Sequence, residues 1–65
     1  DRCASLLDAI SQYETPVSLK ILSADTSLHP STAFRILSAL MEAGFVEKDA
    51  AGHYMLGKKT RQPGR

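Results

Sequence analysis

The chain has 65 residues, of which 43% are hydrophobic, and a formal net charge of +1. That length allows one small domain, near the lower limit for independent folding. The apolar content argues against a disordered tail, and no apolar run approaches the roughly 20 residues of a membrane-spanning helix. We therefore expect a single globular domain and no membrane partner.

The sequence begins with Asp rather than Met and shows no basic-then-apolar leader. We expect it to be part of a longer protein that lacks a secretory signal. Cys3 is the only cysteine, which rules out an intrachain disulfide and favours a reducing cytoplasm. The residue itself is expected to be a small apolar member of the core.

The charges are unevenly distributed along the chain. Residues 1–57 carry four basic and seven acidic residues, a net charge of −3, whereas residues 58–65 carry four basic residues and no acid. Composition alone gives weak support for a polyanionic partner, and that support lies in the tail.

Two helices are predicted before residue 30. Apolar residues recur at steps of three and four over residues 3–13, which indicates one buried helix face that ends before Pro16. Ser18 is placed to cap a second, short helix that ends near Thr26, with Leu22 facing inward.

A third and longer helix follows a short turn. Pro30 fits the first helical position, where a missing N–H costs nothing, and His29 is a passable cap. Gly44 suits the left-handed residue at which a helix ends, so the helix covers about residues 30–43. Its buried stripe consists of four apolar residues at helical spacing, namely Ala33, Ile36, Leu37 and Leu40.

After the third helix the apolar period changes from about 3.6 residues to two. The segments FVEK and HYML are predicted to be two short strands, and DAAG between them has the composition of a hairpin turn. The last segment, KKTRQPGR, is polar and basic, and we interpret residues 58–65 as a basic linker or an appended tail.

The order of elements predicts a mostly α fold with a small β-hairpin. A short helix, a tight turn and a longer helix form a helix-turn-helix, whose second helix can lie in the major groove of DNA. A hairpin appended to it is called a wing. Residues 1–57 are therefore predicted to be a three-helix winged helix-turn-helix domain that binds DNA.

Polar and aromatic side chains lie on the predicted outer face of the third helix. Arg35 can fork onto guanine or hold a phosphate, and Phe34 can contact a thymine methyl group. Ser31 and Thr32 can hydrogen-bond to phosphates or bases. The candidate DNA-binding residues, including one on the second helix and one in the hairpin, are Lys20, His29, Ser31, Thr32, Phe34, Arg35, Ser38 and His53.

Three segments, STAFRIL, ALMEAGFV and GHYMLG, occur in an order that resembles the N-terminal winged helix-turn-helix of the IclR family of bacterial transcription regulators. The resemblance covers about residues 3–57. It implies a sequence-specific repressor or activator that binds a palindromic double-stranded DNA operator as a homodimer or a dimer of dimers. It also implies a small-molecule effector, bound by a C-terminal domain outside this chain.

Other interpretations stay open at this stage. A winged helix can also serve protein–protein contact, or act as an accessory domain of a larger DNA-processing protein, and the acidic body of residues 1–57 motivates that alternative. Arg35 can be an ordinary solvated helix residue, and Phe34 can pack on the wing or on a partner subunit.

No catalytic, metal or cofactor site is predicted from the sequence. The four glycines are scattered, and no histidine lies near a serine or cysteine on one predicted face. His29, His53 and Cys3 do not have the spacing of metal ligands. We therefore expect a binding module rather than an enzyme.

Overall fold

The computed structural model describes residues 1–61, with side chains through residue 60. Three helices come first: α1 (Arg2–Ser11), α2 (Leu19–Thr26) and α3 (Pro30–Ala43). An antiparallel hairpin of β1 (Val46–Lys48) and β2 (Tyr54–Leu56) follows, and then a one-turn helix, α4 (Lys58–Arg61). The predicted fold class, mostly α with a small hairpin in the winged helix-turn-helix order, is confirmed. No helix within residues 1–61 has the length and apolar character needed to cross a membrane.

Each of the first three helices begins at a capping side chain. The Asp1 side chain accepts from Ala4 N at 2.8 Å, the Ser18 side chain accepts from Ile21 N at 3.2 Å, and the His29 side chain accepts from Ser31 N at 3.2 Å. These bonds satisfy N–H groups that have no partner inside the helix. The caps predicted at Ser18 and His29 are confirmed.

The boundaries of α3 are set by local backbone chemistry. Pro30 occupies the first helical turn, and the helix ends at Gly44, whose φ of 89° lies in the left-handed region. For a residue with a Cβ atom, that conformation costs about 1–2 kcal/mol. Both boundary residues take the positions that the sequence predicted for them.

One buried cluster holds the helices and the hairpin together. Leu6, Leu22 and Leu37, one from each of the first three helices, are fully buried. Val46 and Tyr54 bring the hairpin into the same cluster. Removing one large apolar side chain from water contributes about 1.5–3 kcal/mol, so these few residues dominate the stability of so small a domain.

The prediction that Cys3 belongs to the core is wrong. Cys3 is exposed in the first turn of α1, and the buried face of this helix begins one turn later at Leu6. At the start of α1, Cys3 lines an open groove against Ile36 and Ala39 of α3 rather than packing between them. Helical spacing alone does not show how far along a helix its neighbour reaches.

The segment before α2 pairs with the hairpin as a third extended piece. Val17 N donates to Tyr54 O at 2.8 Å, and Tyr54 N donates to Val17 O at 2.7 Å. Both side chains are almost completely buried. This pairing, which the sequence did not predict, attaches the wing to the start of the helix-turn-helix.

The chain leaves the hairpin through a close backbone contact. Gly57 N donates to Phe45 O at 2.8 Å, and Thr60 Oγ1 lies 3.0 Å from the same carbonyl oxygen. A Cβ atom on Gly57 would overlap the carbonyl oxygen of Gly44. The tail therefore begins with a helical turn packed on the domain, where the sequence had predicted only a linker; residues 62–65 lie outside the described residues.

We expect Gly57→Ala to lower the free energy of unfolding by about 3 kcal/mol, because the added methyl group meets backbone rather than a movable side chain. Gly52→Ala is the matched control: nothing lies within 4 Å of its Cβ position, so only its φ of 85° opposes the change, at about 1 kcal/mol. Urea denaturation of both variants measures the difference. An equal or smaller loss at Gly57 would contradict the overlap.

Tyr13 links the end of α1 to the end of α2. Its hydroxyl donates to Asp25 Oδ2 at 2.5 Å. This hydrogen bond raises the pKa of Tyr13 above its ordinary value of 10.0, with smaller contributions from desolvation and from the charge of Asp25. Since the folded pKa exceeds the unfolded one, the stabilisation is complete below pH 10 and is lost as the pH rises through the folded pKa.

We therefore expect Tyr13→Phe to lower the free energy of unfolding at pH 8 and to have a diminishing effect above pH 10. Urea denaturation of the wild-type and variant chains between pH 7 and pH 12 tests this. Two stability curves that stay parallel over that range would show that the hydroxyl does not donate to Asp25 in solution.

Candidate nucleic-acid interface

The two sides of α3 differ sharply in environment. The helix packs against α1, α2 and β1. Ala33 and Leu37 are fully buried on the packed side, and Leu40 is nearly so. The opposite side is therefore the part of α3 that an external partner can reach.

A polar row runs along the centre of that outer side. Ser31, Arg35 and Ser38 follow one another at steps of four and three residues, which places them in line on the helix surface. Ser31 and Arg35 are exposed and Ser38 is half-buried. We call these three residues the outer row of α3; their hydroxyl and guanidinium groups can donate to phosphate oxygens and to base acceptors.

The outer row continues at its far end into an acidic residue. Glu42 is exposed and lies seven residues after Arg35, which corresponds to about 10 Å along the helix axis. A carboxylate repels phosphate. The half of α3 that begins at Pro30 is thus the half suited to a polyanion.

Thr32 and Phe34 lie on the two flanks of the outer row. Thr32 is half-buried and lines the open groove toward α1 together with Arg35 and Arg2. Phe34 is 47% exposed on the other flank, where the Lys48 ammonium lies 5.8 Å from its ring centroid. The two residues, which the sequence had grouped with the row, therefore face different neighbours.

The start of α3 presents a histidine with a defined tautomer. His29 Nδ1 accepts from Ser31 N at 3.2 Å and lies 2.8 Å from Ser31 Oγ, so the prediction that no histidine lies near a serine is wrong at the start of α3. A nitrogen that accepts cannot carry the proton, so the proton of the neutral ring lies on Nε2. His29 is exposed, and its Nε2–H is left as a donor for an external acceptor.

The remaining two candidates lie on separate elements. Lys20 is exposed at the second position of α2. His53 is exposed just before β2, and its backbone pairs with Asp49: His53 N donates to Asp49 Oδ1 and His53 O accepts from Asp49 N, both at 2.9 Å. The structure thus joins His29 to the outer row and leaves Lys20 and His53 apart from it.

Lys48 is a basic residue near this surface that was not among the residues predicted from the sequence. Lys48 ends β1, and its ammonium lies 5.2 Å from the ring centroid of Tyr54 as well as close to Phe34. In the sequence Lys48 is one of two adjacent polar residues in a short predicted strand. The available signal was its position two residues after the apolar Val46, because residues two apart share a strand face.

No group of three His, Cys, Asp or Glu residues within residues 1–61 could hold a metal ion. The chemistry of the outer side of α3 is donation of hydrogen bonds by hydroxyl, guanidinium and imidazole groups. Such donors suit the acceptor-rich phosphates and base edges of DNA.

Comparisons with known proteins bear on the family and the fold of the chain. A model of the IclR helix-turn-helix domain matches residues 1–50. The structure of HmgR from Pseudomonas aeruginosa is similar, with a TM-score of 0.84 and 30% identity over 89% of this chain and 25% of that chain. The Thermotoga maritima IclR has a TM-score of 0.81 and 25% identity over 91% of this chain and 24% of that chain. No curated protein sequence gives a significant match.

A third similar structure shares the fold at lower identity. It is an IclR homologue from Microbacterium hydrocarbonoxydans in complex with 4-hydroxybenzoate, with a TM-score of 0.82 and 22% identity over 91% of this chain and 25% of that chain. The chain thus spans about a quarter of the length of the regulators it resembles. Because the family model covers most of its residues, the chain belongs to the IclR helix-turn-helix family and is a DNA-binding domain of a transcription regulator.

Proposed function

We propose that this domain binds double-stranded DNA sequence-specifically by placing the first half of α3 in the major groove. The outer row supports this proposal because it lies on the exposed side of a helix whose other side is buried in the core. A helix about 10–12 Å across fits a groove about 12 Å wide. The exposed Glu42 at the far end favours entry from the Pro30 end.

Within the outer row, Arg35 carries the main readout. Its guanidinium can donate two parallel hydrogen bonds to guanine O6 and N7, or hold a phosphate. Ser31 and Ser38 donate to neighbouring base edges or phosphates, and Thr32 donates to the backbone on the flank toward α1. Phe34, half-exposed on the other flank, offers its free edge to a thymine methyl group.

Three further residues position the domain on the DNA backbone. His29 donates from Nε2 to a phosphate at the start of α3, where the helix dipole also favours an anion. Lys20 on α2 and His53 in the wing contact phosphates on either side of the groove. These contacts hold the domain in place without selecting a sequence.

The working unit is proposed to be a dimer on a palindromic operator. Two copies of α3 read two half-sites when they lie about 34 Å apart, one turn of DNA.

Residues 1–57 form the DNA-binding domain, and the basic residues 58–65 lead toward a domain that binds a small-molecule effector. One similar regulator was solved with 4-hydroxybenzoate, which supports an effector of this size. Such a regulator acts in the cytoplasm, as a homodimer or a dimer of dimers.

Salt dependence tests the proposed function directly. We expect the logarithm of the association constant for fluorescein-labelled duplex DNA to fall linearly with the logarithm of the salt concentration. The slope should be about −0.9 for each phosphate contacted. Fluorescence anisotropy between 50 and 300 mM salt measures it, on a random-sequence duplex and on a duplex enriched by selection with the wild-type chain. A flat slope on both duplexes would instead support the protein–protein alternative that the net charge of −3 over residues 1–57 suggests.

The role of Arg35 is tested by two substitutions. If the side chain forks onto guanine, we expect Arg35→Ala to cost about 1–3 kcal/mol on the selected duplex and to relax preference at one base pair. Arg35→Lys keeps the charge but loses the fork, so it should recover binding only if the contact is to phosphate. Ser31→Ala and Thr32→Ala should each cost less, because each removes one neutral hydrogen bond.

Folding must be kept apart from binding in this test. Arg35 is exposed, so we expect thermal melts followed by circular dichroism to be the same for wild-type and variant chains. If a folded Arg35→Ala chain binds both duplexes as tightly as the wild type, the assignment of α3 as the reading helix is wrong.

A further inference from the structure

Lys48 occupies an unusual position for a charged residue of a short hairpin. It pairs with Tyr54 across the two strands, and cross-strand partners carry their side chains on the same face. The same face holds Val46, two residues earlier and almost completely buried. Lys48 therefore lies on the inner face of the wing, at the end of β1 where the buried core ends and solvent begins.

Two aromatic rings hold the ammonium group of Lys48. Its Nζ lies 5.2 Å from the ring centroid of Tyr54 and 5.8 Å from that of Phe34, both within the range of cation–π attraction. Tyr54 is fixed in the core, whereas Phe34 comes from the flank of α3. The charge is thus placed at the seam between the wing and the proposed reading helix, while Lys48 as a whole stays exposed.

The acidic residues next to Lys48 in the sequence are directed elsewhere. Glu47 lies on the opposite face of β1, since successive strand residues alternate. Asp49 Oδ1 accepts from Ala51 N at 3.0 Å and from His53 N at 2.9 Å inside the hairpin turn. Lys48 is the only Lys or Arg between residues 46 and 56, so it supplies the positive charge on the side of the wing that faces α3.

We propose that Lys48 is a phosphate-binding residue at this seam and that Phe34 and Tyr54 hold it in position for the DNA backbone. The inference rests on the proposed placement of α3 in the major groove. A helix that nearly fills the groove has a sugar-phosphate strand along each flank. The flank that carries Phe34 therefore faces one strand, and a cation fixed there meets its phosphates.

Holding the side chain in advance has a physical advantage. A free lysine loses rotamer freedom when it binds a phosphate, whereas one already confined by two rings loses less. The contact also ties the wing to the reading helix through a single charged group. The wing then contributes to DNA affinity without a Lys or Arg at its tip.

Charge substitutions test the contact. We expect Lys48→Gln to reduce the magnitude of the log–log salt slope by about 0.9, the value for one phosphate, and to weaken binding to selected and scrambled duplexes alike. Lys48→Arg should restore the slope because it keeps the charge and stacks on aromatic rings. An unchanged slope in Lys48→Gln would overturn the inference.

Lys59→Gln is the matched control. Lys59 also lies near an aromatic ring, 6.0 Å from the centroid of Phe45, but at the end of α3 opposite Pro30. Its substitution removes the same charge, and we expect the salt slope to stay at the wild-type value. An equal drop for both variants would mean that net charge alone is responsible, and the assignment of Lys48 would fall.

A spectroscopic measurement tests the positioning role of the rings. In the free chain, the Cε protons of Lys48 should be shifted upfield by the ring currents of Phe34 and Tyr54, and Phe34→Leu should reduce that shift. An unshifted signal would show that the rings do not hold the ammonium group. If the wild-type chain shows no salt-dependent binding to DNA, the proposed function is wrong. If Arg35→Ala weakens DNA binding and Lys48→Gln does not, the proposed function stands and only this inference is wrong.

Discussion

The contact among Leu6, Leu22 and Leu37 is the constraint on which the rest of the domain depends. Each comes from a different helix and each is fully buried in one cluster. The helices α1 and α2 have 10 and 8 residues, and isolated helices of that length are marginal in water. They persist because they share this core, and truncating one such leucine typically costs 2–5 kcal/mol. The same packing orients the proposed interface, because a helix that buries Leu37 on one side presents Arg35 on the other.

The wing depends on a second contact, in which one residue serves two purposes. Tyr54 pairs with Val17 through two backbone hydrogen bonds and buries its side chain in the core. Its ring also lies beneath the ammonium of Lys48, which reaches Phe34 on α3. A three-residue strand pair would be only marginally stable alone. The pairing with Val17 therefore sets the orientation of the wing and, with it, the place of the wing's one fixed positive charge.

Much of this fold could be predicted because its signals are local. Pro30 and Gly44 mark the ends of α3 because of their own backbone preferences, which do not depend on residues elsewhere in the chain. The features that escaped prediction all depend on residues distant in the sequence. Val17 pairs with a strand 37 positions later, and Cys3 is exposed in an open groove that it lines together with residues of α3. The helical turn after Gly57 exists through its contact with the turn between α3 and β1, and composition alone suggested a linker there.

The candidate site shows the same division between what spacing reveals and what requires three dimensions. Helical spacing separates the outer side of α3 from the inner side, yet it does not show which flank faces α1 and which faces the wing. Net charge is less informative still, because it counts acids without their locations. Asp1 caps α1, Asp25 accepts from Tyr13, and Asp49 closes the hairpin turn. These three carboxylates accept hydrogen bonds within the fold, so an acidic total over residues 1–57 is compatible with the proposed DNA-binding surface, where Arg35 and Lys48 supply positive charge.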